Sequence, residues 1–140
     1  MEQKAKELLH QENASIVVMK GTRTFTSVKR GIAPILELID TDINMLEEAV
    51  VADKVIGKAA ALLLAYGKIQ SVYADIISEH AILILEQYHI AYTYQTKVPY
   101  IINRTNTGMC PMESHVLTLN DATKAPEVLK QAVAKMMATK

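Results

Sequence analysis

Residues 49–95, AVVADKVIGKAAALLLAYGKIQSVYADIISEHAILILEQYHIAYTYQ, contain the alternation of elements that decides the fold. Short apolar runs typical of buried strands lie at residues 49–52, 71–75 and 90–95. Between them, two strongly apolar stretches predict helices that are buried on most sides, at residues 54–66 and 78–88. Strands that alternate with helices pair in parallel through right-handed crossovers. The pattern therefore predicts a three-layer α/β/α sandwich.

The segment that precedes this alternation predicts a hairpin. Residues 15–19 are apolar and β-branched, residues 22–28 alternate in polarity, and Gly21 separates them. We expect a short helix before the hairpin and a second helix over residues 31–39 after it. Because a hairpin pairs its strands antiparallel, the predicted sheet is mixed.

The segment that follows the alternation predicts two more elements. Residues 98–102 are expected to form an edge strand, since Pro99 would disrupt a central one. Residues 126–137 carry apolar side chains at helical spacing and predict a closing helix that packs on the sheet.

The composition favours one soluble, cytoplasmic domain spanning residues 1–140. Half of the residues are hydrophobic, and 15 basic side chains balance 15 acidic ones. Such a chain can fill one core, and its zero formal charge predicts no nucleic-acid or membrane partner. A single cysteine excludes an intramolecular disulfide and favours a reducing compartment. No apolar run approaches the ~20 residues of a membrane span.

The motif GMCPME at residues 108–113 puts this cysteine at a predicted helix start. Pro111 suits the first helical position, so Cys110 is expected to be the N-cap. Glu113 is then placed to reach back to the Cys110 N–H in a capping box. The thiol faces free N–H groups and the positive end of the helix dipole, which favour the thiolate. Two interpretations are open: a reactive thiol, or a helix start that uses cysteine as its cap.

A second motif, ADKVIGK at residues 52–58, follows a predicted strand. Asp53 is expected to cap the next helix, with Lys54 and Lys58 on one helix face. Gly57 would let a ligand or another backbone approach closely. This corner can receive an anion at the carboxyl end of a parallel strand. The alternative is a capped helix with two solubilising lysines.

Three further polar residues are candidates for ligand binding. Ser78 follows a strand as Asp53 does, so the two helix starts should be neighbours. Asn103 and Arg104 end the predicted edge strand, where an arginine can clamp a carboxylate or phosphate; a solvated loop arginine is the alternative. The four histidines lack the spacing of a metal site, so we expect neither a metal nor a cofactor.

The order of these elements resembles the cytidine deaminase-like superfamily, and within it a small uncharacterised prokaryotic family. The resemblance covers roughly residues 15–115 and is carried by residues 51–60, 98–104 and 108–113. It implies the deaminase-like fold and its pocket.

Zinc deaminases carry His-x-Glu or Cys-x-Glu at one helix start and Pro-Cys-x-x-Cys at the next. By this resemblance, Val51 and Asp53 stand at the first motif, and Ser78 and Ala81 at the second. Valine and alanine do not bind zinc, so the resemblance implies no zinc-dependent deamination.

Three functions are compatible with these residues. The first is transfer or hydrolysis on a small anionic or nucleotide-like metabolite, with a nucleophilic or redox-responsive thiol; it assigns catalysis to Cys110, Asp53 and Lys54. The second is binding of such a metabolite without turnover, at the helix starts of Asp53 and Ser78 with Lys54 and Arg104. The ligand-binding candidates are Ser78, Asn103, Arg104 and Gly57. The third is an interaction module, and a homo-oligomer is compatible with all three.

Overall fold

The computed structural model describes residues 2–102 and 108–138. The strands are β1 (Ile16–Lys20), β2 (Arg23–Ser27), β3 (Val50–Ile56), β4 (Ser71–Ser78) and β5 (Ala91–Val98). The helices are α1 (Glu2–Gln11), α2 (Ala33–Thr41), α3 (Lys58–Tyr66), α4 (Glu79–Gln87), α5 (Pro111–His115) and α6 (Ala125–Ala138). Short 3-10 turns lie at Ile43–Met45 and Ala122–Lys124.

The strands form one mixed sheet of five in the order β2-β1-β3-β4-β5. β1 pairs antiparallel with both β2 and β3, whereas β3, β4 and β5 run parallel. Each parallel pair is joined through a helix, α3 or α4, as parallel pairing requires. Ile56 lies opposite Ile77, so the carboxyl ends of β3 and β4 are side by side. The predicted α/β fold with a mixed sheet is confirmed.

Apolar side chains pack on both faces of the sheet. Neighbouring residues of β3, Val51 and Ala52, belong to two different clusters because strand side chains alternate between faces. The smaller cluster contains Leu9 of α1. The larger one contains Ile35 of α2, residues of α3 and α4, and Leu129 of α6.

Every residue of α3 except Tyr66 is buried, which confirms the prediction of a central helix. Its side chains fill the space between the sheet and the other helices of the larger cluster. Within residues 2–102 and 108–138, neither this helix nor any other combines the length and the apolar content needed to cross a lipid bilayer.

The predicted start of the central helix is wrong. Asp53 lies inside β3, which continues to Ile56, and α3 begins only at Lys58. Asp53 is aligned with Ile16 of β1 on one side and with Ala74 of β4 on the other. Pairing with two strands therefore outweighs the local preference of aspartate for a helix cap.

The predicted edge strand at residues 98–102 is also wrong. β5 itself continues to Val98 and forms the edge of the sheet. Beyond it, Ile102 makes an isolated antiparallel bridge with Met109. The prediction ended β5 too early because Thr96 and Lys97 interrupt its apolar pattern, whereas an exposed edge strand tolerates both residues.

Candidate functional site

The helices α3 and α4 begin next to each other at the carboxyl ends of β3 and β4. Gly57 is the N-cap of α3 and has no side chain to bond the first-turn N–H groups. Ser78 is the N-cap of α4, and its Oγ accepts a hydrogen bond of 3.1 Å from the Ala81 N–H. The predicted Ser78 cap is confirmed, and its neighbour is Gly57 instead of Asp53. Two helix starts with free N–H groups make this corner favourable for negative charge.

The carboxylate of Glu113 occupies this corner. Although Glu113 belongs to the short helix α5, its side chain is almost fully buried, at 1% exposure. Oε2 accepts hydrogen bonds from the Lys58 N–H at 2.6 Å and from the Ser78 hydroxyl at 2.8 Å. Oε1 accepts one from the Ile101 N–H at 2.9 Å. These donors replace the water that a buried carboxylate loses. Glu113 therefore supplies the cap that Gly57 lacks.

Gly57 makes room for this carboxylate. A Cβ atom at Gly57 would lie 2.6 Å from Glu113 Oε2 and 2.9 Å from Ile101 Cγ1. Both distances are shorter than van der Waals contact, so any larger residue would displace one neighbour. The predicted close approach at Gly57 is confirmed, and the approaching group is a carboxylate of the chain itself.

Lys58 lies beside this corner, but its ammonium group bonds Leu117 and not Glu113. It is buried, and its Nζ donates to the Leu117 carbonyl oxygen at 2.6 Å. Burial lowers the pKa of Lys58, and the charge of Glu113 opposes that shift. Among the residues that the structure describes, the Glu113 carboxylate is therefore bound by backbone N–H groups and a hydroxyl, without an ammonium in hydrogen-bond contact.

Cys110 is the N-cap of α5, as predicted, but the capping box is wrong. The Cys110 side chain makes no capping hydrogen bond. Its N–H donates to the Ile101 carbonyl oxygen at 2.6 Å, while Glu113 bonds other donors. The tertiary contacts of Glu113 therefore replace the local one. Cys110 is half-buried and shares Ile101 as a bonding partner with Glu113.

Asp53 is a buried carboxyl group, and no cation within residues 2–102 and 108–135 forms a hydrogen bond with it. Its Oδ1 accepts from the Val55 N–H at 3.1 Å. Burial raises the pKa of Asp53 well above its usual value, and the charge of Asp75 adds to the increase, although backbone hydrogen bonds oppose it. This carboxyl group favours the protonated form over a wider pH range than an exposed aspartate does.

Lys54 lies in a strand and contacts Asn13, and not on a helix face beside Lys58 as predicted. It lies in β3, and its Nζ donates to Asn13 Oδ1 at 2.6 Å. The prediction that Lys54 and Lys58 share a helix face is therefore wrong. No hydrogen bond or ion pair among the described residues joins Lys54 or Asp53 to the Cys110 side chain.

Two of the predicted ligand-binding residues, Asn103 and Arg104, lie outside the described residues, so their role stays a prediction. The sequence places Glu113 in a local cap, although its partner Lys58 is 55 positions away. The available signal was the three-residue spacing from Cys110, and that spacing pointed to the wrong N–H group. The hydrogen bonds of this corner therefore centre on the Glu113 carboxylate and not on the Cys110 thiol.

These features define an α/β domain whose mixed five-stranded sheet carries two helix starts around a buried carboxylate. The chain belongs to the family described as Domain of unknown function (DUF1893), whose profile matches residues 4–133. It is similar to the crystal structure of a DUF1893 family protein (TM1506) from Thermotoga maritima, with 29% identity and a TM-score of 0.84. That match covers 92% of this chain and 87% of the other. No curated protein matches the chain. Membership in an uncharacterised family is confirmed, and the deaminase-like assignment stays a prediction.

Proposed function

We propose that the protein binds a small anionic metabolite, without turning it over, where the N-termini of α3 and α4 meet. Glu113 occupies this place when no metabolite is bound, and the metabolite displaces it. The observation that carries the proposal is the buried Glu113 carboxylate, which accepts hydrogen bonds from Lys58 N–H, Ser78 Oγ and Ile101 N–H. A corner that holds one carboxylate has the donors to hold another.

The exchange of Glu113 for an external anion is supported by the small size of α5, the helix that carries Glu113. α5 has only five residues, and it packs on its neighbours through few side chains, of which Glu113 is buried. Moving α5 away would leave the donors on α3 and α4 in place, because these helices are anchored in the larger apolar cluster. Opening loses the Glu113 contacts and the packing of Met112 on the larger apolar cluster, and an external anion restores equivalents of the Glu113 contacts.

Binding without turnover is favoured by the chemistry of the hydroxyl in the corner. Ser78 Oγ donates a hydrogen bond to Glu113 and accepts one from the Ala81 N–H, so the hydroxyl serves the helix starts both as donor and as acceptor. Once Glu113 is displaced, the described part of the chain has no other side chain that bonds Ser78 and could act as its base. A serine nucleophile requires such a base.

The test is isothermal titration calorimetry with a panel of carboxylate- and phosphate-bearing metabolites, on the wild type and on Glu113→Gln. Replacing an ordinary binding residue weakens binding. Here the variant weakens an internal competitor, so the same anion should bind more tightly, by about tenfold or more if the competitor loses roughly 1.4 kcal/mol.

Glu47→Gln is the matched control, because Glu47 is exposed and lies in a different segment. It should bind each anion as the wild type does. Equal affinity of the wild type and Glu113→Gln for every anion that binds would refute the competition, and no binding by either would refute the proposed function.

A second candidate is thiol chemistry at Cys110, with Asp53 and Lys54 as its helpers. The observation in its favour is position: Cys110 is half-buried and bonds the same residue, Ile101, that donates to Glu113. Alkylation that stays fast well below the pH at which a free thiol ionises would support an activated thiol. Asp53→Asn and Lys54→Met test the helpers, since an unchanged alkylation rate in both variants contradicts the coupling.

We also propose that the domain is a deaminase-like three-layer fold whose zinc site has been lost. Supporting this is the position of Ser78 and Ala81 at the start of α4, where the resemblance places two zinc ligands. The equivalence at Val51 and Asp53 needs revision, because both residues lie in β3 and not at a helix start. Measurement of zinc in the purified protein tests the proposal, and stoichiometric zinc contradicts it.

A further inference from the structure

The two edges of the sheet differ in length and in charge. β2 has five residues and begins with Arg23, which forms an ion pair with Asp42. β5 has eight residues, none of them buried, and Lys97 is its single charged residue. Within the described residues β5 pairs only with β4. A long strand edge with free N–H and C=O groups and little charge is a template for another strand.

We propose that β5 pairs antiparallel with β5 of a second copy of the chain, with Gln95 on the two-fold axis. This pairing extends the sheet across both copies. Side chains of directly opposite residues lie on the same face of a sheet. A two-fold axis perpendicular to the sheet keeps each residue on the same face in both copies. The axis therefore passes midway between the two copies of one residue. Centring it on Gln95 pairs every residue from Tyr92 to Val98 and uses nearly the full strand.

The register on Gln95 is chosen by charge. It places Lys97 of one copy opposite Thr93 of the other. Thr93 Oγ1 donates to Glu2 Oε1 at 2.9 Å, so Glu2 lies over Thr93 on the face covered by α1. Lys97 of each copy then meets Glu2 of the other, which gives two symmetric ion pairs. Registers centred on Thr93 or Tyr94 do not place Lys97 opposite Thr93.

The opposite face of the pair is compatible with the same register. Tyr92 and Tyr94 stack with ring centroids 6.4 Å apart, and Tyr94 is 41% exposed. The pairing sets Tyr94 against Thr96 and Tyr92 against Val98 of the second copy. Aromatic residues opposite β-branched residues are favourable cross-strand pairs.

The test is the dimer dissociation constant from analytical ultracentrifugation of the full chain. We expect the wild type to dimerise, and Lys97→Glu and Glu2→Lys each to weaken the dimer about tenfold or more, because each single change opposes like charges at two symmetric contacts. The double variant Lys97→Glu/Glu2→Lys restores opposite charges and should return the constant towards the wild-type value.

Lys4→Glu is the matched control, since Lys4 is an exposed residue of the same helix as Glu2. It should leave dimerisation unchanged. A monomeric wild type, single variants that dimerise like the wild type, or a double variant weaker than both single variants would each overturn the proposal.

Discussion

Replacing Glu113 by glutamine removes the charge in the corner while keeping the side-chain volume. The glutamine oxygen can still accept from Lys58 N–H and Ser78 Oγ, but its NH₂ group then faces the Ile101 N–H, a donor against a donor. One hydrogen bond to a charged group is lost, at roughly 1.5–3 kcal/mol, and the remaining ones become neutral and weaker. We therefore expect Glu113→Gln to lower the free energy of unfolding by about 2–3 kcal/mol.

Urea denaturation at neutral pH, followed by far-UV circular dichroism, measures this free energy. The exposed Glu47→Gln is the control, and it should stay within about 0.5 kcal/mol of the wild type. Ser78→Ala provides an internal comparison, because it removes one donor to the same carboxylate and one N-cap. Equal stability of Glu113→Gln and Glu47→Gln would contradict this prediction, because it would mean that the buried carboxylate does not hold the helix starts together.

Two further predictions concern the neighbours of this carboxylate. Gly57→Ala should lower the free energy of unfolding by about 1–3 kcal/mol, because its Cβ collides with Glu113 and Ile101; a denaturation curve equal to that of the wild type contradicts this. Asp53→Asn should change the pH dependence of stability. The pKa of Asp53 is raised in the folded state, so its contribution is present below the pKa of the unfolded state and is lost as pH rises through the folded pKa. The free energy of unfolding of the variant should therefore rise relative to that of the wild type from acidic to neutral pH in urea denaturation. A constant difference between the two free energies across that range would contradict this prediction.

The order of strands and helices could be predicted because it is encoded in local apolar periodicity. α3 and α4 are apolar over two turns or more, and their strands are short apolar runs bounded by polar residues. The end of β3 could not be predicted in the same way. Asp53 has the local chemistry of a helix cap, but pairing with Ile16 and Ala74 keeps it in a strand, and sequence periodicity does not show pairing partners.

The same distinction between local patterns and contacts of distant elements applies to the candidate site. The Ser78 cap is predictable because it depends on local sequence, a serine between a strand and an apolar helix, and its partner Ala81 is three residues away. For Glu113 the local pattern indicates the wrong donor, because its partners, Lys58 and Ser78, lie on other elements. Only the folded chain brings α5 to the starts of α3 and α4, so no local rule for helix caps finds this contact.

We propose an external anion as the ligand of the starts of α3 and α4. The most direct measurement is a titration of ¹⁵N-labelled Glu113→Gln with sodium acetate, with the Lys58 and Ile101 amide signals followed by NMR and sodium chloride at matched ionic strength as the reference. We predict saturable shifts of both amides with acetate and a weaker response in the wild type, whose own carboxylate competes. Signals that respond no more to acetate than to chloride would contradict anion binding at this corner.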